Sequence, residues 1–325
     1  MSPGEAILHW YQKNRRDLPW RRTEDPYKIW LSEIILQQTR VDQGLAYYNR
    51  FISKYPGINK LAAAKEADVL KLWQGLGYYS RARNLHHAAK DIVKRFNGKF
   101  PSTYEDIRSL KGVGDYTAAA IASFAFKKKY AVVDGNVFRV LSRYLGIKTP
   151  VNSSPARKEF YNAAMELMGD LPPQDFNQAL MELGALQCKP QNPSCAECPL
   201  HASCFAFSKN QTKLLPVKEK KIKLRTRHFN YLFIHNGRSI QLRKRTASDI
   251  WKNMYDFPMI ETSKSISAGK LLEHAEWKQH FPKGFHLISV SKTIRHQLTH
   301  QTIHAKFYSV RSAAASRIEE IKSID

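Results

Sequence analysis

Cysteine is almost absent from this 325-residue chain: it has four, all between Cys188 and Cys204. Thiols occur nowhere else, so the cluster calls for a local explanation. Long apolar runs are missing as well. No stretch approaches the roughly 20 apolar residues of a membrane span, which sets a membrane protein aside. The N-terminus, MSPGEAILHWYQKNRRDLPW, is too charged and aromatic for a signal peptide. Acidic residues are scarce: 28 Asp and Glu stand against 52 Lys and Arg, a formal net charge of +24. Such an excess exceeds what solubility requires and points to a polyanionic partner, nucleic acid before any anionic membrane surface. A cytoplasmic, nucleoid-associated location is the expectation. Thiols stay reduced there and structural disulfides are rare, so the four cysteines read as metal ligands.

Strand-like alternation is lacking from residues 1–207. Apolar residues instead recur at three- and four-residue steps in segments 29–41, 63–76, 82–96, 116–126, 135–145 and 158–168, the period of amphipathic helices. Breaks fall at YPG, NGKFPS, LKGVG and LPPQ. Residues 208–227 change character, with six basic residues among the ten from Lys218 to Arg227. They read as a basic interdomain linker, or else as a solvated charged strand. Beyond them, FNYLFIHNGRSIQLRKR suggests two strands around a type I′ turn at Asn236-Gly237. The segment 286–310 continues in the same style. Residues 228–325 are therefore expected to form an α+β domain after a mainly α region at 1–207. No dimer seam stands out, and a monomer is expected.

The cysteines follow C-x6-C-x2-C-x5-C, at Cys188, Cys195, Cys198 and Cys204. Zinc motifs usually pair their ligands as two close couples, and only Cys195 and Cys198 are one here. Four thiolates at uneven spacing also suit an iron–sulfur cube, one per iron corner. Spacing alone leaves both readings open. Upstream, LKGVGDYTAAAIASFAF places Gly112 and Gly114 around Val113, just before a helix of small residues. With a preceding helix near 103–110, this is either a plain helix-joining turn or a helix-hairpin-helix. In the latter, unpaired N–H groups at a helix N-terminus grip a DNA phosphate. Twenty residues on, Asp134 precedes Gly135-Asn136, as a helix N-cap or as a carboxylate held beside a reacting sugar.

Taken together, the Gly-Val-Gly hairpin, the Asp twenty residues later and the cysteine pattern closely resemble the endonuclease III superfamily of DNA glycosylases. WLSEIILQQTRV, LWQGLGYYSRARNLH, VDGNVFRVL and FNQALMELGAL further resemble the MutY family of adenine DNA glycosylases. The resemblance covers nearly the whole chain. It implies a helix-hairpin-helix glycosylase fold with an iron–sulfur module, followed by a Nudix-like C-terminal domain. It implies a [4Fe–4S] cluster on Cys188, Cys195, Cys198 and Cys204. As partner it implies double-stranded DNA carrying adenine opposite 8-oxoguanine or guanine. Endonuclease III-like enzymes place a nucleophilic Lys two residues after the second Gly. Tyr116 stands there, and it cannot form the Schiff base that cleaves the strand. A monofunctional glycosylase is expected; the rivals are a bifunctional glycosylase/lyase and a non-catalytic zinc DNA-binding protein.

Excising adenine requires an acid that keeps its proton near neutrality, hence a carboxyl in an apolar setting. Glu33 lies among Trp30, Leu31, Ile34, Ile35 and Leu36, either on a solvent-facing stripe or as a tuned acid. The family assigns it as general acid and base. The resemblance puts Asp134 at the oxocarbenium-like sugar, the division between two carboxyls that glycoside hydrolysis uses. Asn136 would orient Asp134, and Tyr116 would pack against the reacting nucleotide. Because the base must leave the helix, Gln38 and Tyr78 would fill the gap; their neighbours Gln37 and Tyr79 are not separable by sequence. Leu18, Trp20, Arg21 and Gln178 would form the adenine pocket. Any of the apolar ones could equally be core.

The second half lacks the clustered R-E-x-x-E-E helix of a catalytic Nudix domain between Ile250 and Asp325. Where the family's recognition loop reads Phe-Ser-His, this chain has Leu298, Thr299 and His300. The hydroxyl and imidazole are kept and the aromatic wedge is not; the alternative is a plain β-turn with a surface His. The sequence ends at RIEEIKSID, which suggests a shortened terminal helix.

Overall fold

The computed structural model describes residues 1–219, 224–235, 239–247, 249–281, 285–298 and 300–311. The chain divides into two compact units, Met1–Lys220 and Lys221–Asp325.

Among the described residues the first unit is helical throughout: α1 (Pro3–Asn14), α2 (Pro26–Leu36), α3 (Val41–Lys54), α4 (Ile58–Ala63), α5 (Glu66–Trp73), α6 (Ser80–Phe96), α7 (Tyr104–Ser109), α8 (Asp115–Phe124), α9 (Gly135–Leu145), α10 (Ala156–Met168), α11 (Pro173–Leu186) and α12 (Phe205–Ser208). Two apolar cores hold it together. One is built mainly from α2 to α8, around Trp30, Phe51, Leu61, Trp73 and Ile121. The other joins α1 to α9, α10 and α11 through Ile7, Leu141, Phe160 and Phe176. The N-terminal helix thus crosses over to pack with elements more than a hundred residues away.

Local chemistry sets the helix ends. Ser2 and Glu5 close a reciprocal capping box on α1, satisfying two backbone donors at once. α6 stops at Asn97 and α9 at Gly146, both left-handed, as helix C-termini favour. Helix α2 is buried on nearly all sides, from Tyr27 to Ile35. The apolar pattern over 29–41 predicts one helix, but the chain leaves α2 after Leu36 and restarts at Val41. The carbonyls of Ile34 and Ile35 are taken by the Arg81 guanidinium at 3.1 and 2.9 Å, a tertiary contact that periodicity cannot report. Likewise α5 ends at Trp73 rather than near Leu76, because Gly75 and Gly77 take positive φ.

The division between the units, after Lys220, falls inside the stretch 208–227 read as a linker. Residues up to 219 belong with the helices: Leu215 is buried and its carbonyl accepts from Arg143 Nε at 3.0 Å. Nearby, Val151 N–H donates to the Val217 carbonyl at 3.0 Å. At the other end, Arg225 and Arg227 open strand β1 (Arg225–His235). Arg227 is buried between Glu261 and Asp249. A run of positive charge looks like a linker until its partners, thirty residues away, are known.

The second unit adds β2 (Arg243–Lys244), β3 (Tyr255–Asp256), β4 (Met259–Thr262), α13 (Ala268–Leu272), α14 (Ala275–His280), β5 (His286–Val290), β6 (Ile294–Gln297) and β7 (Gln301–Arg311). The main sheet runs β4-β1-β7-β5, with β6 also on β7. β1 and β7 are parallel over their full length, Arg225 against Gln301 through His235 against Arg311. One face, through Leu232, Ile234, Ile260, Tyr308 and Val310, packs on Leu271, Trp277 and Phe281 of the α13–α14 segment. The expected turn at Asn236-Gly237 lies outside the described residues. The strand expected after it is not a full partner of β1. Among the described residues, the pairing there is a single bridge, His235 to Ile240, and β2 pairs with β3. Both long edges of β1 are already occupied, by β4 and β7. The expected terminal helix also lies outside the described residues.

Candidate active site

A cavity of about 210 Å³ lies between the two helical cores, and Glu33, Tyr116, Asp134, Asn136, Gln178, Leu18, Trp20 and Arg21 all line it. Glu33 comes from the interior of α2 and is 8 % exposed. Burial pushes its carboxyl up to about 7, helped by the neighbouring charge of Asp134 and opposed by a Tyr116 hydrogen bond and Arg21. Tyr116 sits in the first turn of α8. Burial raises its hydroxyl well above the ordinary value, and the adjoining carboxyls of Glu33 and Asp134 add to the rise. A protonated phenol donating to Glu33 is the result.

Asp134 caps α9, as its sequence context suggests. Its Oδ1 accepts from the N–H groups of Asn136 and Val137, each at 2.8 Å, and its Oδ2 from Asn136 Nδ2 at 2.8 Å. Burial raises this carboxyl above its ordinary value, and those donors and Arg139 oppose the rise without cancelling it. One side chain therefore serves as helix cap and as cavity wall. Arg139 fixes Asn136 from behind, donating to its Oδ1 at 2.8 Å and to the Gly184 carbonyl at 2.7 Å. Gly184 permits this approach: a Cβ there would stand 2.6 Å from Asn136 Cβ.

The remaining wall shows what sequence reasoning missed. Arg21 is committed to Glu182 at 2.9 and 2.8 Å, and Arg16 grips the same carboxylate at 2.9 and 2.6 Å. Burial pushes Glu182 up, yet the two guanidiniums outweigh it and hold the carboxyl at about 2. Arg21 is thus a fixed wall of the cavity. Gln178, which lines the cavity, accepts at Oε1 from the Tyr11 hydroxyl at 2.9 Å. Glu182 follows Gln178 by one helical turn; an acid in the apolar stretch ALMELGAL was the available signal.

The four cysteines line a second, smaller cavity with Arg143, Gln187 and His201. Cys188 follows the end of α11, Cys195 and Cys198 share a turn in which Cys198 N–H donates to the Cys195 carbonyl at 3.2 Å, and Cys204 caps α12. Arg143 Nη1 donates to Cys188 Sγ at 3.4 Å, while Cys204 Sγ donates to the Arg143 carbonyl at 3.5 Å. His201 is turned back on the Cys198 carbonyl. The donor set is therefore four sulfurs and fits a group that takes four thiolates. Among the described residues, no three His, Cys, Asp or Glu side chains form a group that could hold a metal ion.

Residues 31–168 match the HhH-GPD superfamily of base excision DNA repair proteins, and residues 230–324 match the NUDIX domain. An adenine DNA glycosylase from Buchnera aphidicola subsp. Baizongia pistaciae is 35% identical over 303 residues, spanning 92% of this chain and 83% of that one. The chain belongs to the adenine DNA glycosylase family. The mouse adenine DNA glycosylase is 44% identical over 214 residues, 63% of this chain and 42% of the mouse protein. Among solved structures, a thermostable thymine-DNA glycosylase is 33% identical with a TM-score of 0.59, covering 63% of this chain and 95% of that chain. An endonuclease III–DNA complex shares the fold at 21% identity and a TM-score of 0.56, over 64% of this chain and 94% of its own. The cavity is thus found in a base excision repair glycosylase.

In this glycosylase the structure separates the neighbours that sequence leaves paired. Gln37 turns inward, its Nε2 donating to Thr117 at 3.3 Å, while Gln38 is exposed with φ +59°. Tyr79 packs on the first core, while Tyr78 is 43% exposed with φ +46°. Of the two hairpin glycines, only Gly112 needs its freedom, at φ +82° with Asn84 2.7 Å from where a Cβ would stand. Gly114 is the extended N-cap of α8. In the second unit, His300 is exposed beside the turn from β6 to β7, and Thr299 lies outside the described residues. Leu298 packs, partly buried, on the sheet cluster of Phe229, Tyr231 and Ile303. No helix among the described residues is long and apolar enough to cross a membrane.

Proposed function

We propose that the chain is a monofunctional glycosylase that hydrolyses the N-glycosidic bond of adenine mispaired with 8-oxoguanine or guanine. The observation that carries this reading is a buried carboxyl pair with unlike surroundings. Glu33 keeps its proton to about pH 7 because burial outweighs its single phenolic donor. Asp134 accepts three N–H hydrogen bonds, which favour its charged form. That is the division of labour for cleaving a bond to a poor leaving group.

In the reaction, Glu33 gives its proton to N7 of the flipped adenine. The bond to C1′ breaks and its electron pair leaves with the base. The Asp134 carboxylate faces the positive charge developing on the sugar, in a buried site where such an interaction is strong. A water then adds to C1′ and passes a proton to the Glu33 carboxylate, restoring the acid and leaving an abasic site. Asn136 holds Asp134, and the Gln178 amide reads the adenine edge. Tyr116 keeps Glu33 in place where a lyase needs an amine. No lysine lines the cavity among the described residues, which supports hydrolysis without strand cleavage.

Cys188, Cys195, Cys198 and Cys204 would hold a [4Fe–4S] cluster, whose chemistry here is thiolate ligation that ties a loop of the first unit together. Thr299 and His300 would read 8-oxoguanine, a role supported by the NUDIX match of residues 230–324. The glycines 112 and 114 would lie on the phosphate backbone. The enzyme would act as a monomer on nucleoid DNA in the cytoplasm.

Single-turnover base release tests this, with adenine opposite 8-oxoguanine in one duplex and cytosine opposite 8-oxoguanine in another. Strand breaks are scored before and after alkali. Adenine release with breaks only after alkali is the expected result. Breaks without alkali would replace the monofunctional mechanism with a lyase, and no release would refute the assignment.

A further inference from the structure

Arg81 is 9% exposed and has no carboxylate partner in an ion pair among the described residues. Its guanidinium is spent on backbone oxygens instead. Nη1 donates to the carbonyls of Ile34 at 3.1 Å and Ile35 at 2.9 Å, and to that of Gln37. Nη2 donates to the carbonyls of Leu76 at 3.3 Å and Gly77 at 3.4 Å. Both reach Thr39 Oγ1 at 3.4 Å. The group lies 5.1 Å from the Trp73 ring and 5.7 Å from the Tyr78 ring.

Besides the end of α2, these contacts fall on two separate loops. The first, residues 37–40, carries Gln38; the second, residues 74–79, carries Tyr78. Each of those residues is exposed and left-handed, Gln38 at φ +59° and Tyr78 at φ +46°. A non-glycine residue seldom adopts that conformation unless its surroundings impose it. The carbonyl before Gln38 and the carbonyl before Tyr78 are both accepted contacts of the one guanidinium. A planar fork with five fixed donors can bridge two loops in this way, whereas an ammonium, a compact point charge with rotatable donors, cannot reproduce the geometry.

We propose that Arg81 is a positioning residue that locks the Gln38 and Tyr78 loops together as one preformed wedge, so that both side chains enter the duplex in a single step as the base is extruded. The proposal rests on the reading of Gln38 and Tyr78 as the residues that fill the vacated space. Arg81 is 9% exposed, and a lysine in its place keeps the positive charge, so long-range attraction to DNA is left nearly unchanged. Its substitution acts on insertion, through the neighbouring loops, more than on encounter.

The test uses the holoenzyme and two duplexes, one with 2-aminopurine opposite 8-oxoguanine, whose fluorescence reports base extrusion, and one with adenine there, from which base release is measured. Arg81→Lys is compared with Gln38→Ala, Tyr78→Ala, the double variant Gln38→Ala/Tyr78→Ala and the triple variant. Iron content and far-UV circular dichroism confirm the fold. Expected for Arg81→Lys is extrusion and single-turnover adenine release slowed about tenfold or more, with affinity for undamaged duplex within about threefold. In the double-variant background, Arg81→Lys should add less than about twofold, because it acts through the side chains already removed. Normal extrusion by Arg81→Lys, or a full additive loss in that background, overturns the proposal. Normal extrusion by both alanine variants would instead remove the reading of Gln38 and Tyr78 on which it rests. Should Arg81→Lys lose its iron or helical signal, Thr39→Ala, which removes one acceptor of the same guanidinium, carries the test: slowed extrusion supports the clamp and unchanged extrusion refutes it.

Discussion

Replacing Glu33 by Gln should slow base release and, at alkaline pH, make the folded protein more stable. Burial lifts the Glu33 carboxyl from an ordinary 4.5 to about 7 against the opposing Tyr116 hydrogen bond. A rise of that size corresponds to about 3 kcal/mol between the two protonation states. Across the window from 4.5 to about 7 the folded chain keeps a proton at Glu33 that the unfolded chain has lost. The unfolded state binds fewer protons there, so stability falls as pH rises through the window and levels off above it. Gln does not ionise and can still accept from Tyr116. Relative to the parent, Glu33→Gln should gain up to about 3 kcal/mol at pH 8 and nothing below about pH 4. Urea denaturation across that pH range measures the difference directly. Single-turnover base release should meanwhile fall by roughly 10²–10⁴-fold, the loss of a general acid. The parent rate should also decline above about pH 7, where Glu33 gives up its proton. A stability difference that does not change with pH would show that Glu33 is not held protonated by the fold. A Glu33→Gln variant with unchanged release would refute its role in the chemistry.

Asp134→Asn keeps a good N-cap but loses the anion, so melting temperature should hold while base release drops at least 10²-fold. Asp134→Ala should lose both, with about 1 kcal/mol of stability gone, and calorimetry beside the release assay separates the two. Gly184→Ala places a Cβ 2.6 Å from Asn136 Cβ and 2.9 Å from its carbonyl oxygen. Overpacking of this kind costs about 1–3 kcal/mol and should also slow base release; full activity at parental stability would contradict the packing argument. Metal analysis should find about four irons per chain and no stoichiometric zinc, with brown colour from broad visible absorbance. Cys198→Ala should lower the iron, whereas stoichiometric zinc would restore the single-ion reading of the cysteines.

Much of the site was legible because its parts leave chemical marks in the sequence. Glu33 is an acid in an apolar helix, Asp134 a capping residue before Gly135-Asn136, and the cysteines stand alone in the chain. Gly112 advertises a turn. What escaped were the residues whose work is done at a distance. Glu182 looks like an ordinary helix acid until it meets Arg16 and Arg21, more than 160 residues earlier. Arg139 and Arg81 look like solvated positive charges in a chain that has many, and both are buried against backbone carbonyls. Arg227 was assigned to a linker for the same reason, and it is buried in the sheet. A long cation's role depends on which acceptors the fold delivers to it.

The sequence by itself determined the division into a helical half and a strand-bearing half, the helical period, the turns at Gly75, Gly77 and Gly112, and which side chains were candidates for the chemistry. These depend on nearest neighbours and side-chain type, which are local. Tertiary structure alone decided that helix α2 stops at Leu36, that Gln38 and Tyr78 face outward while Gln37 and Tyr79 do not, and that β1 pairs with β7 across the second unit. It also decided that Glu33 and Asp134, a hundred residues apart, share one cavity. A carboxyl's acidity is set by what surrounds it, and only folding brings those surroundings together.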